Sequence, residues 1–256
     1  MEQKSSRLIR LLSDRRLRLG IYLLLLLPLL LRREITPENE MKYLQIADEA
    51  LRDGHFWCLF LDGAAYADKP PLYLWIVMAL RRLLGFHCIP LLELFSLLPA
   101  FGILAIFDRW CAGTLRLRWR VAAEAALLTT AYFLGGAVVL RMDMLMVFFI
   151  TLAMWIFWQM DRGSRQCGLP WAFAFSVMAA IFSKGPVGFL FPLLGVFVWL
   201  LSERRLRDFP RAWGWRTWLV LALGCGIWWT CVYLEGGRDY LDNLLFHQTQ
   251  IGRAHV

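Results

Sequence analysis

"YADKPPLYLWIV", residues 66–77, decides how the chain threads. An acid, Asp68, and a lysine, Lys69, stand at the threshold of a run of aromatic and aliphatic side chains. Lys69 precedes Pro70 and Pro70 precedes Pro71. Residues 69 and 70 are therefore pushed out of the α region, and a helix is expected from about Pro71. Such a mount holds Lys69 at the helix entrance, where its point charge suits a phosphate at headgroup depth. The plainer reading is a lysine that snorkels to water. The run ends near Arg81 and Arg82, which suits a helix lying along the membrane surface. Whether it lies there or crosses sets the side of every later loop.

The rest of the chain makes the membrane explicit. Of 256 residues, 59% are hydrophobic and 19% charged, with a mean hydropathy of +0.52. A soluble domain would be nearer half apolar and a quarter charged. The apolar residues come in blocks, at 19–31, 70–84, 88–107, 121–140, 144–160, 169–183, 187–201 and 217–234. That is the pattern of helices in a bilayer, and an all-α polytopic membrane protein is expected. If all eight blocks crossed, the Arg-rich segments 109–120 and 204–216 would face opposite sides, against the positive-inside rule. With 70–84 in the interface, the basic N-terminus and segments 109–120, 162–165 and 204–216 all fall in the cytoplasm. Seven spans result. The expected layout is a basic N-terminus at 1–18, a transmembrane domain at 19–234 with an outer loop at 32–87, and an outer tail at 235–256. The net charge of +8 thus sets topology, and no nucleic-acid partner is expected.

The unusual polar motifs then collect on one face. "ITPENEMKYLQIADEALRDG" (35–54) reads as a helix, with Thr36 as N-cap, Pro37 in the first turn and Gly54 as the stop. Tyr43, Leu44, Ala47, Ala50 and Leu51 form an apolar stripe, and Glu40 falls on it. An acid there is either a base or substrate-orienting group, or one placed for the helix dipole. "LDG" (61–63) signals a turn. "LRMDML" (140–145) sets Arg141 and Asp143 between apolar blocks, and "FSKGPVG" (182–188) does the same for Lys184. Ionisable groups at such places are functional candidates, although Asp143 paired with Arg141 or Lys184 would also pin helix ends. Glu93 and Glu124 read as helix-end acids. Cys58 and Cys88 could share a disulfide on an oxidising face. His55, His87 and His247 share no ligand-like spacing. No cofactor is expected, with a divalent metal left open.

"NEMKYLQIADEAL" (39–51), "YADKPPLYLW" (66–75), "LRMDMLMVFF" (140–149) and "FSKGPVGFLFPLL" (182–194), in this order, resemble the bacterial GT-C membrane glycosyltransferases of the aminoarabinose transferase and protein O-mannosyltransferase type. The resemblance covers about residues 35–200. It implies transfer of a sugar from a polyprenyl-phosphate carrier to a lipid A, glycolipid or protein acceptor at the outer face of the bacterial inner membrane. It implies Lys69, Lys184 and Arg141 as donor-phosphate cations. Glu40, Asp143 and Asp68, in that order, are the candidate bases, and Asn39, Lys42 and Tyr43 position substrate. The family's first-loop motif usually reads D-E-x-R-Y; here Asn39 and Lys42 stand for its leading acid and its arginine. The competing function is a transporter or flippase for a lipid-linked anion, which more often shows inverted repeats and broken helices near the midplane. The chain is also expected to be an N-terminal piece. Its ending "IGRAHV" (251–256) is the translation of ATCGGAAGAGCACACGTC, a common sequencing-adapter run.

Overall fold

The structure, a computed structural model, describes residues 13–32, 40–164 and 166–246. The expected Thr36 cap, Asn39 and the 251–256 ending lie outside them. The described fold is a helical bundle with one small hairpin. Its helices are α1 (Arg15–Arg32), α2 (Lys42–Asp53), α3 (Leu72–Leu84), α4 (Ile89–Cys111), α5 (Leu117–Thr129), α6 (Ala131–Val138), α7 (Asp143–Asp161), α8 (Leu169–Lys184), α9 (Pro186–Ser202) and α10 (Trp215–Phe246). A 3₁₀ turn at Leu206–Arg211 precedes α10, and β1 (Phe60–Leu61) pairs antiparallel with β2 (Ala64–Ala65).

Among the described residues, α4, α7 and α10 are each long and apolar enough to cross a bilayer. The expected span at 121–140 is broken. It forms α5 and α6, bent by 67°. The cause is local: the hydroxyls of Thr129 and Thr130 bond back to the carbonyls of Ala125 and Ala126 at 2.8 and 2.9 Å, and Thr130 turns to an extended conformation at φ −61°, ψ 125°. Hydroxyls that compete for helical carbonyls bend helices. The apolar helices α8 and α9 have only 16 and 17 residues, about 25 Å of rise. So four of the seven expected spans reach bilayer length only if the bent pair counts as one. The 70–84 block, expected in the interface, is one short helix. α3 begins at Leu72 after Pro71 and has 13 residues, about 20 Å against a ~30 Å hydrocarbon core.

The basic N-terminus differs from its expectation too. α1 starts at Arg15, and Arg18 is 1% exposed. Its Nε and Nη2 donate to the two carboxylate oxygens of Glu124 at 3.0 Å each, and Nη2 lies 2.9 Å from Asp108. The arginine is a clamp joining α1 to α4 and α5. The suggested disulfide does not form: Cys58 and Cys88 are both free, and the Cys58 thiol donates to the Val232 carbonyl at 3.4 Å.

The two cores form for different reasons. In the bundle, α7 packs mainly on α8 and α4, and packing rather than water exclusion holds apolar helices together in lipid. The outer loop has its own core of Tyr43, Ile46, Ala47, Ala50, Leu59, Tyr73 and Leu74, shared with Leu92, Leu140 and Met142. Outside lipid, each fully buried large side chain contributes about 1.5–3 kcal/mol. The expected α2 stripe is this buried face, and Gly54 ends the helix at φ 77°.

"LDG" is the hairpin turn. Asp62 and Gly63 both take positive φ, 53° and 74°, the type I′ geometry that Asp-Gly favours. Glu49 of α2 caps it, accepting the Asp62 N–H at 2.9 Å and the Gln45 amide at 3.2 Å. The Asp62 bond is the main reason the Glu49 carboxyl sits below its ordinary 4.5. A lowered folded pKa contributes stability above the ordinary value and loses it as pH falls through the lowered one. The hairpin is therefore expected to loosen on acidification below pH 4.5, followed by the Asp62 amide proton shift. Glu49→Gln should abolish that titration; an unchanged titration curve in the variant refutes the assignment.

Candidate active site

Four distant stretches meet at one end of the bundle. The Lys184-Gly185-Pro186 turn lies against the Lys69-Pro70-Pro71 turn: a side chain built at Gly185 would meet the Pro70 ring at 3.7 Å. Gly185 also has φ 82°, which disfavours any other residue there. Lys184 is ion-paired to Asp143 at the start of α7. The Arg141 Nε lies 3.3 Å from the other Asp143 oxygen. Glu40 closes the set, its Oε1 accepting the Leu140 N–H at 2.6 Å across 100 residues of sequence.

Each predicted residue has a defined place. Glu40 is 0% exposed. Asp143 is buried, with its two cations around it. The pinning alternative for Asp143 is therefore present in the structure, with Arg141 and Lys184 both engaged. Lys69 is half-buried and has no hydrogen-bond or ion-pair partner among the described residues. Asp68 is exposed and equally unengaged. Tyr43 is buried and packs edge-on to Tyr73 at 5.6 Å. Burial pushes its hydroxyl pKa up, the Arg141 charge pulls it back and Asp143 adds to the rise. Tyr43 thus feels the Arg-x-Asp turn. The Lys42 ammonium sits 5.9 Å from the Tyr66 ring centre. Burial raises the Tyr66 pKa as well, with Tyr43 and Asp68 contributing. Asn39 lies outside the described residues.

Several supporting residues were not legible beforehand. Ser96 of α4 donates to the Arg141 carbonyl at 3.1 Å; a serine inside an apolar block carries no signal. Glu235, at the edge of the last apolar block, accepts three successive N–H groups, from Phe56 (3.0 Å), Trp57 (3.0 Å) and Cys58 (3.2 Å). Past a break at Gly237 (φ 71°), the Tyr240 hydroxyl takes the Leu59 N–H at 2.8 Å. The expected outer tail is thus a strap over the loop that carries Lys69. Trp75, Phe182 and Trp228 form an aromatic wall, with ring centres 6.2 and 5.3 Å apart. Among the described residues, no three His, Cys, Asp or Glu side chains gather to hold a metal.

This geometry offers two cations neutralised by one acid, a third cation without a partner among the described residues, and an exposed acid next to it in sequence. Such a set suits an anion arriving at the bundle's end. The chain is 25% identical over 230 residues to an uncharacterized protein of Aquifex aeolicus (strain VF5), covering 86% of this chain and 45% of that one. It is 27% identical over 200 residues to the undecaprenyl phosphate-alpha-4-amino-4-deoxy-L-arabinose arabinosyl transferase of Enterobacter sp. (strain 638), covering 74% and 35%. Its fold is similar to ArnT from Cupriavidus metallidurans. The crystal structure bound to undecaprenyl phosphate gives a TM-score of 0.78 at 18% identity, over 91% of this chain and 44% of that one. The apo structure gives 0.71 at 18% identity, over 89% and 44%. The chain spans less than half the length of these relatives. The family described as dolichyl-phosphate-mannose-protein mannosyltransferase matches residues 19–235, which include every described motif above, and to that family this chain belongs.

Proposed function

We propose that the chain carries the donor-phosphate site of an integral membrane glycosyltransferase. The enzyme moves a sugar from a polyprenyl-phosphate carrier to a lipid A, glycolipid or protein acceptor. The observation that carries this reading is Lys69, half-buried and with no ion-pair or hydrogen-bond partner among the described residues, on the turn that abuts the Lys184 turn. In the reaction the acceptor oxygen bonds to the anomeric carbon and the bond from that carbon to the phosphate oxygen breaks. The electron pair stays on the phosphate. A lipid phosphate leaving group needs cations rather than an acid. Lys69 supplies the first, and Lys184 and Arg141 the others. Asp143 holds that pair ready by neutralising it, and the incoming phosphate competes for it.

The proton of a hydroxyl acceptor goes to a carboxylate. Glu40 and Asp143 are both engaged, whereas Asp68 is open to solvent. The favoured order is therefore Asp68 as proton acceptor, with Asp143 and Glu40 positioning the Arg-x-Asp turn. The names of the Enterobacter and Cupriavidus relatives, which both concern undecaprenyl phosphate or its use, support the donor class.

The test is reconstitution of the chain in vesicles with a polyprenyl-phosphate-linked radiolabelled sugar. Label should move to glycolipid or protein; absence of both transfer and donor binding sinks the reading. The same reading puts the site on the outer face of the bacterial inner membrane, with the N-terminus cytoplasmic. In a chain with its natural cysteines replaced, an impermeant thiol reagent applied to intact cells should label Ala64→Cys and spare Arg118→Cys, both exposed positions. The reverse pattern would invert the topology.

A further inference from the structure

The opposite end of the bundle holds a second polar hollow, of about 520 Å³. α8 links the two ends: Lys184 closes its site end and Pro170 opens the other, about 21 Å away along the axis. The hollow is lined by Ser164 after α7, Gln166, Pro170, Pro210 and Arg211 of the 3₁₀ turn, and Arg216 in the first turn of α10. No acid lines it.

Arg216 is the informative residue. Its Nε is buried and has no hydrogen-bond acceptor, and no acid pairs with it among the described residues. Its guanidinium instead lies 5.5 Å from the Trp215 ring and 6.0 Å from the Trp171 ring. The two rings pack edge to face at 5.8 Å. Tryptophans of this kind settle at the level of lipid headgroups. The nearby acids are already engaged: Asp161 with Arg205 at 2.9 Å, and Asp208 with Arg205 and Arg211 at 2.7 and 3.1 Å. Arg216 lines a polar hollow over a tryptophan shelf with no acid partner among the described residues, beside a second arginine, Arg211, and what it lacks is an anionic oxygen.

We propose that this hollow binds the phosphate of an anionic membrane-lipid headgroup, in the leaflet opposite the candidate active site. Basic pockets between helices at a membrane face take such headgroups. A phosphate in the hollow lies within reach of the Arg216 and Arg211 guanidinium groups that line it. The acyl chains then follow the apolar flank of α8 and α10 into the bilayer.

The test uses the whole chain, delipidated in detergent and offered phosphatidylglycerol or phosphatidylcholine, with retained lipid counted by native mass spectrometry. Phosphatidylglycerol should be retained about tenfold over phosphatidylcholine, and Arg211→Gln and Arg216→Gln should each lower its retention about fivefold. Arg207→Gln removes an exposed charge outside the hollow and should change nothing. Undiminished retention in Arg216→Gln overturns the proposal, as does an equal loss in Arg207→Gln. Complete displacement of phosphatidylglycerol by excess inorganic phosphate would assign the hollow to a free anion and overturn the lipid. Should Arg216→Gln fail to fold, hydrogen exchange on the unaltered chain decides. Slowed exchange at residues 163–170 with phosphatidylglycerol alone supports the site, and equal exchange with both lipids removes it.

Discussion

Replacing Lys69 with alanine is expected to lower sugar transfer by about 10²–10³-fold, the loss typical of removing one preorganised charge-stabilising group. Membrane insertion and melting temperature should stay unchanged. Lys69 has no ion pair or hydrogen bond to lose among the described residues, so its removal leaves no orphaned acid. Its mount is made by Pro70 and Pro71, which the substitution does not touch. The contrast variant is Lys184→Ala. Lys184 neutralises Asp143 at the buried start of α7, so its loss should lower both transfer and melting temperature, because among the described residues the buried carboxylate then keeps only Arg141 as an ion-pair partner. Lys69→Arg should recover part of the rate by keeping the charge, but not all of it, because the guanidinium is a planar fork rather than a point charge. Full transfer by Lys69→Ala would remove the central element of the proposed mechanism. A fall in melting temperature equal to that of Lys184→Ala would reassign Lys69 to structure.

Arg18→Met carries the largest expected stability effect. The guanidinium is 1% exposed and contacts both Glu124 and Asp108. Methionine keeps much of the volume and removes the charge. Among the described residues, Glu124, 1% exposed, then keeps only the Tyr22 hydroxyl as donor, at 3.3 Å. Asp108 keeps Arg120 at 3.2 Å. Removing one member of a buried ion network costs about 3–5 kcal/mol, because its partner stays charged and buried. For a chain of this size that is a fall in melting temperature of roughly 6–20 °C. Adding Glu124→Gln should recover part of the loss, since the stranded charge is gone. A wild-type melting temperature for Arg18→Met would mean that the network contributes nothing.

What could be read beforehand follows from what each residue's signal depends on. Lys69, Arg141, Asp143 and Lys184 stand out as charges set against apolar blocks, a pattern visible in one dimension. Glu40 stood out because its spacing puts it on the α2 stripe, and it is buried there. Ser96 and Glu235 gave no comparable signal. A serine in a membrane helix most often bonds its own helix, and an acid at a block's edge most often faces water. Each acquires its role from a backbone group far away in sequence: Arg141 for Ser96, and residues 56–58 for Glu235. Arg18 was misleading for the same reason. A run of arginines before an apolar block looks solvated, and only Asp108 and Glu124 on neighbouring helices make one of them buried.

The sequence by itself determined the membrane class, the amphipathic α2, the Asp-Gly turn, the start of α3 after the two prolines and the gathering of ionisable motifs at one end. These follow from composition, periodicity and proline sterics, all local properties. Tertiary structure decided which charges are already neutralised. It pairs Asp143 with two cations, buries Glu40 on the Leu140 N–H, and leaves Lys69 and Asp68 without ion-pair partners among the described residues. Charge compensation depends on contacts over a few ångströms between residues that are, for Lys184 and Asp143, 41 positions apart. No local pattern encodes that distance; the packing of α7 on α8 does.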